Sequence, residues 1–151
     1  TLAGGISVIS AGRPGERSGA TVTSATALSM DPPTMIVNIN TSSSTWPVIE
    51  RNRHFCVNIL ASAQKQIAER FAGIGGVKGE DRYDGAEWID GRSGAPVLVG
   101  ALAAVDCVVE EVIERYSHVI ILGRIVDVRL GSGSSLVYQS GHYGRIGPLA
   151  E

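Results

Sequence analysis

The chain has 151 residues, 44% of them hydrophobic and 19% charged, with a net charge of −2. That composition suits one folded domain over residues 1–151 and excludes a disordered chain. No Lys/Arg cluster offers a face to nucleic acid, and apolar runs such as Val119 to Leu122 are too short to span a bilayer.

Thr1-Leu2-Ala3-Gly4-Gly5 opens close to a strand, so a further segment ahead of it is expected. Ile6 to Ala11 is a β-branched run closed by the turn cluster Gly12-Arg13-Pro14-Gly15. Ala20 to Ser29, rich in Ser, Thr and Ala, predicts a second strand. Asp31-Pro32-Pro33 stops it, because proline cannot donate to a central ladder. Thr34 to Asn40 alternates Met35, Val37 and Ile39 with Ile36, Asn38 and Asn40, a strand with one mixed face. A short helix is expected from Ser44 or Thr45 to about Asn52, with Pro47 in its first turn, where a missing N–H needs no partner. His54 to Leu60 is another strand. A second helix starts at Ser62 as N-cap, carries Ala63, Ile67 and Phe71 with Ala68 and Ala72, and ends at Gly73.

Residues 73–94 hold seven glycines and little periodicity, which reads as a functional or partner-covering loop. Leu102 to Glu114 and His118 to Leu130 form a long hairpin about Arg115-Tyr116-Ser117, with Glu110, Glu111 and Glu114 near its tip. Gly131-Ser132-Gly133 makes a turn and Leu136 to Gln139 a last strand. Six or so strands and two short helices predict an antiparallel barrel, not a βαβ fold. Cys56 and Cys107 lie in strand-like stretches without CxxC spacing, so buried free thiols in a reducing, cytoplasmic setting are expected.

Catalytic signatures are scarce. No G-x-G-x-x-G opens a helix, and P-loop, HExxH and G-x-S-x-G patterns are missing. His54, His118 and His142 are scattered, so no metal site is expected. Three segments remain. Gly19 to Thr26 places small and hydroxylated side chains on a strand, suited either to a flat aromatic ligand or to close packing of another layer. Asn40 to Pro47 runs a polar loop into a helix start, suited to a phosphate or to plain N-capping. Ser140-Gly141-His142-Tyr143-Gly144 suits either stacking on a planar ligand or a C-terminal turn.

Taken in order, Gly5 to Ile9, Thr23-Ser24 through Leu28 to Pro33, Asn40 with Ser43 to Trp46, and Phe55 to Leu60 form one pattern. The Gln64 to Phe71 helix, Gly94 to Leu98, Ser117-His118 with Leu122-Gly123-Arg124, and Gly141-x-Tyr143 continue it. Over nearly the whole chain this resembles the flavin reductases that supply reduced flavin to two-component monooxygenases. The resemblance implies a mainly β fold, an antiparallel Greek-key split barrel with a few short helices, and a homodimer with one flavin per subunit near the interface. It implies FMN or FAD as flavin and NADH or NADPH as hydride donor, with a flavin-dependent monooxygenase as partner and neither nucleic acid nor membrane.

Residue by residue, the resemblance places Thr21, Val22, Thr23 and Ser24 along the isoalloxazine, with Ser29 and Met30 beside it. It implies that Asn40, Ser43, Ser44 and Thr45 would hold the ribityl chain and phosphate. Asp81-Arg82-Tyr83 resembles the family's acidic-basic-aromatic triplet, which implies that Arg82 approaches the phosphate, and the resemblance puts His118 and Tyr143 on the nicotinamide side, His118 as the catalytic candidate. The residue before that histidine is often acidic in the family; here it is Ser117, so the imidazole lacks a neighbouring carboxylate. Rival readings are an oxidase or quinone-type reductase that keeps its flavin, and a non-catalytic flavin- or haem-binding module.

Overall fold

The computed structural model describes residues 2–150; Thr1 and Glu151, the ends of the expected domain and the start of the opening segment, lie outside the described residues. The strands are β1 (Gly4–Gly5), β2 (Ser7–Ala11), β3 (Ser18–Val22), β4 (Thr26–Met30), β5 (Pro33–Asn40) and β6 (His54–Ile59). They continue with β7 (Trp88–Asp90), β8 (Pro96–Leu98), β9 (Ala103–Arg115), β10 (His118–Leu130), β11 (Leu136–Gln139) and β12 (His142–Arg145). Helix α1 (Thr45–Asn52) sits between β5 and β6, and α2 (Lys65–Phe71) follows β6.

Seven strands form one antiparallel sheet in the order β3-β2-β6-β9-β10-β5-β4. Its two edge strands, β3 and β4, are neighbours in sequence, joined only by residues 23–25. Four residue steps reach at most about 14 Å, whereas seven strands laid flat would hold their edges about 29 Å apart. The sheet must therefore curl until its edges nearly meet. It stays split, because β3 and β4 share no ladder.

Alternation along β2 fills two cores at once. Ile9 and Ala11 face the barrel interior with Val37, Ile39, Phe55, Val57, Val119 and Ile121, closed at one end by Trp46 and Ile49 of α1. Ile6 and Val8 face outward into a second cluster with Leu60, Ala68, Phe71, Tyr83 and Leu98. That arrangement explains why every residue of β2 is buried.

Four expectations change. Ala20 to Ser29 is not one strand: it breaks at residues 23–25 and serves both edges of the sheet. Ser62 is not the N-cap; it lies inside a 3-10 turn over Ser62–Gln64, where the Gln64 carboxamide oxygen accepts the Ala61 N–H at 2.9 Å. The stripe on α2 narrows to Ile67, Ala68 and Phe71, while Ala63 and Ala72 are exposed. Leu136 to Gln139 is not the last strand, because Ser140 and Gly141 (φ 50° and 84°) form a left-handed turn that returns the chain as β12.

The glycine-rich stretch also carries more structure than a loop. It contains 3-10 turns over Ile74–Gly76 and Gly79–Tyr83, and β7 pairs with β8. Side chains fasten it down. The Tyr83 hydroxyl donates to the Ser18 carbonyl at 2.5 Å, and Arg82 Nη1 donates to that of Gly19 at 2.8 Å. Farther on, buried Asn58 accepts the Leu98 N–H at 2.9 Å, and Ser10 Oγ donates to the Pro96 carbonyl at 2.6 Å. (The same Asn58 donates to Ser10 Oγ, closing the link.) Cys56 and Cys107 are buried free thiols, both pushed up in pKa by burial, Cys107 to about 12.

Candidate functional site

Where the sheet edges approach, an open groove of about 310 Å3 is lined by Ala20 to Ser24, Asn38 to Asn40, Ser43 and His118. Topology makes it: the end of β3 with the first two crossover residues, Thr23 and Ser24, forms one wall, and β5, with β10 beside it, forms the other. Ser24 Oγ ties the walls together by donating to the Asn38 carbonyl at 3.2 Å. His118 reaches the groove because its register partner is Asn40. Its Nδ1 lies 2.8 Å from Ser117 Oγ, so a hydroxyl now orients the ring from the position where a carboxylate was missing.

The loop into α1 is ordered by its own polar groups. Asn40 Oδ1 accepts from the backbone N–H and hydroxyl of Ser42 at 2.8 and 2.7 Å. Ser43 Oγ accepts the Thr45 N–H at 3.1 Å, which leaves its own proton free for a further acceptor.

Of the residues expected at a flavin, Thr21, Val22, Thr23, Ser24, Asn40, Ser43 and His118 come together here. The others stand elsewhere. Ser44 and Arg82 line an adjoining cleft. Thr45 is fully buried, its hydroxyl 3.2 Å from Ser18 Oγ, so its side chain offers nothing to a ligand at the surface. Arg82 gives Nε and Nη1 to the carbonyls of Val77, Gly19 and Phe71, which makes it first a staple of the glycine-rich stretch. Ser29 and Met30 lie near Thr34 and Pro33, about 13 Å along β5 from Asn38. Ser29 Oγ caps the Asp31 N–H there, and Met30 is 83% exposed. Tyr143 lines a different pocket with Lys65, Leu136 and Arg145, its ring edge-on to Tyr138 and 5.3 Å from Lys65 Nζ.

Sequence reasoning missed Asn38 and Ile39 as groove residues, whereas Ala20 lies within the Gly19 to Thr26 segment it singled out. Asn38 had a signal, since it shares a strand face with Asn40 two residues on. It also missed the adjoining cleft of about 580 Å3, lined by Arg17, Arg51, Lys78, Arg82, Glu16 and Glu80 among others. There Arg17 pairs with Glu80 and lies 4.3 Å over the Tyr83 ring. The bond to Glu80 raises the Arg17 pKa despite burial. Burial pushes the Glu80 carboxyl up, but Arg17 and the Gly15 N–H outweigh it and hold it below its ordinary value.

Comparison with known proteins now decides the family. The family model described as flavin reductase like domain matches residues 1–147. This chain belongs to the flavin reductase-like family. It is 36% identical to "FMN reductase (NADH) RutF 2" of Methylorubrum extorquens over 94% of this chain and 82% of the relative. It is 34% identical to the "4-hydroxyphenylacetate 3-monooxygenase reductase component" of Pseudomonas aeruginosa over 96% and 86%. Among solved structures, the "NADH:FAD oxidoreductase SgcE6" of Streptomyces globisporus superposes with a TM-score of 0.88 at 25% identity, over 99% of this chain and 89% of the other. Another structure of that oxidoreductase holds NAD and FAD fragments. The split barrel of the family is therefore the fold of this chain. Among the described residues, no helix is long and apolar enough to cross a membrane.

Proposed function

We propose that this flavin reductase-like protein transfers hydride from NADH or NADPH to FMN or FAD, all of residues 1–151 acting as one domain in a reducing, cytoplasmic setting. The observation that carries this is the groove: hydroxyl-rich, backbone-lined and of about 310 Å3, at the lower end of small-molecule sites. A flat tricyclic ring fits against residues 20–24, whose side chains are small enough to leave the backbone within reach. The flavin and the nicotinamide supply the hydride chemistry when bound. This chain's own residues orient and exclude. Residues 21–24 hold the ring and offer N–H donors where negative charge develops on it. Ser43, its hydroxyl proton free, and the start of α1 receive the phosphate end. His118, turned by Ser117, orients the nicotinamide over the exposed side of the groove. No side-chain acid or base is needed.

The same reading makes the protein a homodimer that passes reduced flavin to a monooxygenase. Leu28 and Met30 leave apolar side chains 54% and 83% exposed on the edge strand β4, a surface that suits a second copy. Ser29, Met30 and Tyr143, apart from the groove of their own subunit, then have the partner's flavin as their only route to one. The purified protein with NADH or NADPH and each flavin in turn tests the activity through loss of reduced-nicotinamide absorbance. Flavin-dependent oxidation supports it; bound flavin without turnover favours the non-catalytic module.

A further inference from the structure

The cleft next to the groove is the larger of the two, about 580 Å3 against 310 Å3. The two concavities share their walls. Along β3, Ser18 lines the cleft and Ala20 the groove; on the loop before α1, Ser44 lines the cleft and Ser43 the groove. Ser18 Oγ and Ser44 Oγ meet at 3.1 Å on the ridge between them. A ligand whose phosphate rests at Ser43 therefore has its distal end aimed at the cleft.

The lining is basic in a chain of net charge −2. Four cations, Arg17, Arg51, Lys78 and Arg82, face two carboxylates, Glu16 and Glu80. Arg17 and Glu80 neutralise each other, and Arg82 is committed to backbone carbonyls. Arg51, on α1, and Lys78, on the glycine-rich stretch, have no carboxylate partner among the described residues. Val48 adds an apolar wall. Unpaired cations beside an aliphatic surface fit an adenosine phosphate: charge for the phosphate, Val48 and a guanidinium plane for the purine.

We infer that this cleft receives the adenosine-phosphate half of FAD, so that FAD binds more tightly than FMN. The inference rests on the flavin reading above. FMN ends at the phosphate held by Ser43; only FAD carries the second phosphate and purine that the cleft is built to take. The nicotinamide dinucleotide also contains an adenosine phosphate, but its reactive ring must stack on the open side of the groove, above His118, not on the ridge at Ser44.

The test is the dissociation constant of FAD and of FMN, without nicotinamide, for the wild-type protein and for Arg51→Ala, Lys78→Ala and the double variant. Both side chains are exposed, and thermal melting checks that the variants fold. The expected result is tighter wild-type binding of FAD, an increase on the order of tenfold in its dissociation constant in the double variant, and a change of no more than about twofold for FMN. Equal weakening of both flavins overturns the inference and assigns the cleft to the phosphate they share. Unchanged flavin affinities with a raised KM for NADH, measured with FMN as acceptor, overturn it in favour of the nicotinamide dinucleotide. Absence of any flavin binding by the wild-type protein overturns the flavin reading itself.

Discussion

His54 should make the protein lose stability on mild acidification. The imidazole is 2% exposed on β6, and both ring nitrogens are committed. Nε2 accepts the Gly12 N–H at 2.9 Å, and Nδ1 donates to the Ser93 carbonyl at 3.0 Å. Only the neutral ring can do both. Burial lowers its pKa first; the Ser93 carbonyl raises it, Arg13 lowers it and Asp106 raises it, and the net direction from 6.5 is down. The unfolded chain therefore binds this proton before the folded one does. Stability is whole above about pH 6.5 and falls as pH drops below that value toward the folded pKa, by up to about 1.4 kcal/mol per pH unit. Denaturant unfolding between about pH 7.5 and 5.5, above the carboxylate range, measures the slope. His54→Gln keeps an acceptor for Gly12 and a donor for Ser93, so it should flatten that slope. His54→Ala leaves two buried groups unpaired, at about 1–3 kcal/mol each even at neutral pH. A slope in His54→Gln equal to that of the wild type would refute the assignment.

Ser43→Ala removes the free hydroxyl proton and the acceptor for the Thr45 N–H; flavin titration should show affinity weakened about tenfold or more, and melting a loss of about 1 kcal/mol. His118→Ala should lower kcat/KM for NADH in steady-state kinetics with flavin affinity nearly unchanged, while His142→Ala, on β12 outside the groove, does less. Gly19→Ala would place its methyl 2.7 Å from the Phe71 ring and 2.9 Å from the Ile9 carbonyl, so denaturant unfolding should show a loss of about 1–3 kcal/mol.

The barrel was legible because its strands carry period-two patterning and its turns carry Gly and Pro; the β9–β10 hairpin and the span of α1 follow from these alone. Edge position was not legible. Nothing local in Ala20 to Ser29 says that its two halves lie at opposite ends of one sheet: each pairs with a sequence neighbour, β2 or β5, and it is the insertion of β6, β9 and β10 between those neighbours that separates them. The groove half of the site was legible for a related reason: it is built from contiguous stretches, residues 21–24 and 40–43. The basic cleft was not, because Arg17, Arg51, Lys78 and Arg82 are dispersed in sequence and meet only when the glycine-rich stretch folds over β3. Arg82 looked like a phosphate ligand; three backbone carbonyls claim it first. Ser140-Gly141 looked like an ending and is a hairpin turn.

The position of the flavin ring is the claim on which the rest depends. A crystal structure of the protein with FMN or FAD measures it directly. The account predicts the isoalloxazine against Thr21 to Ser24, its phosphate at Ser43 and its open side toward His118. A ring seated instead in the pocket of Lys65, Tyr143 and Arg145 of the same subunit, with the groove empty, would contradict it.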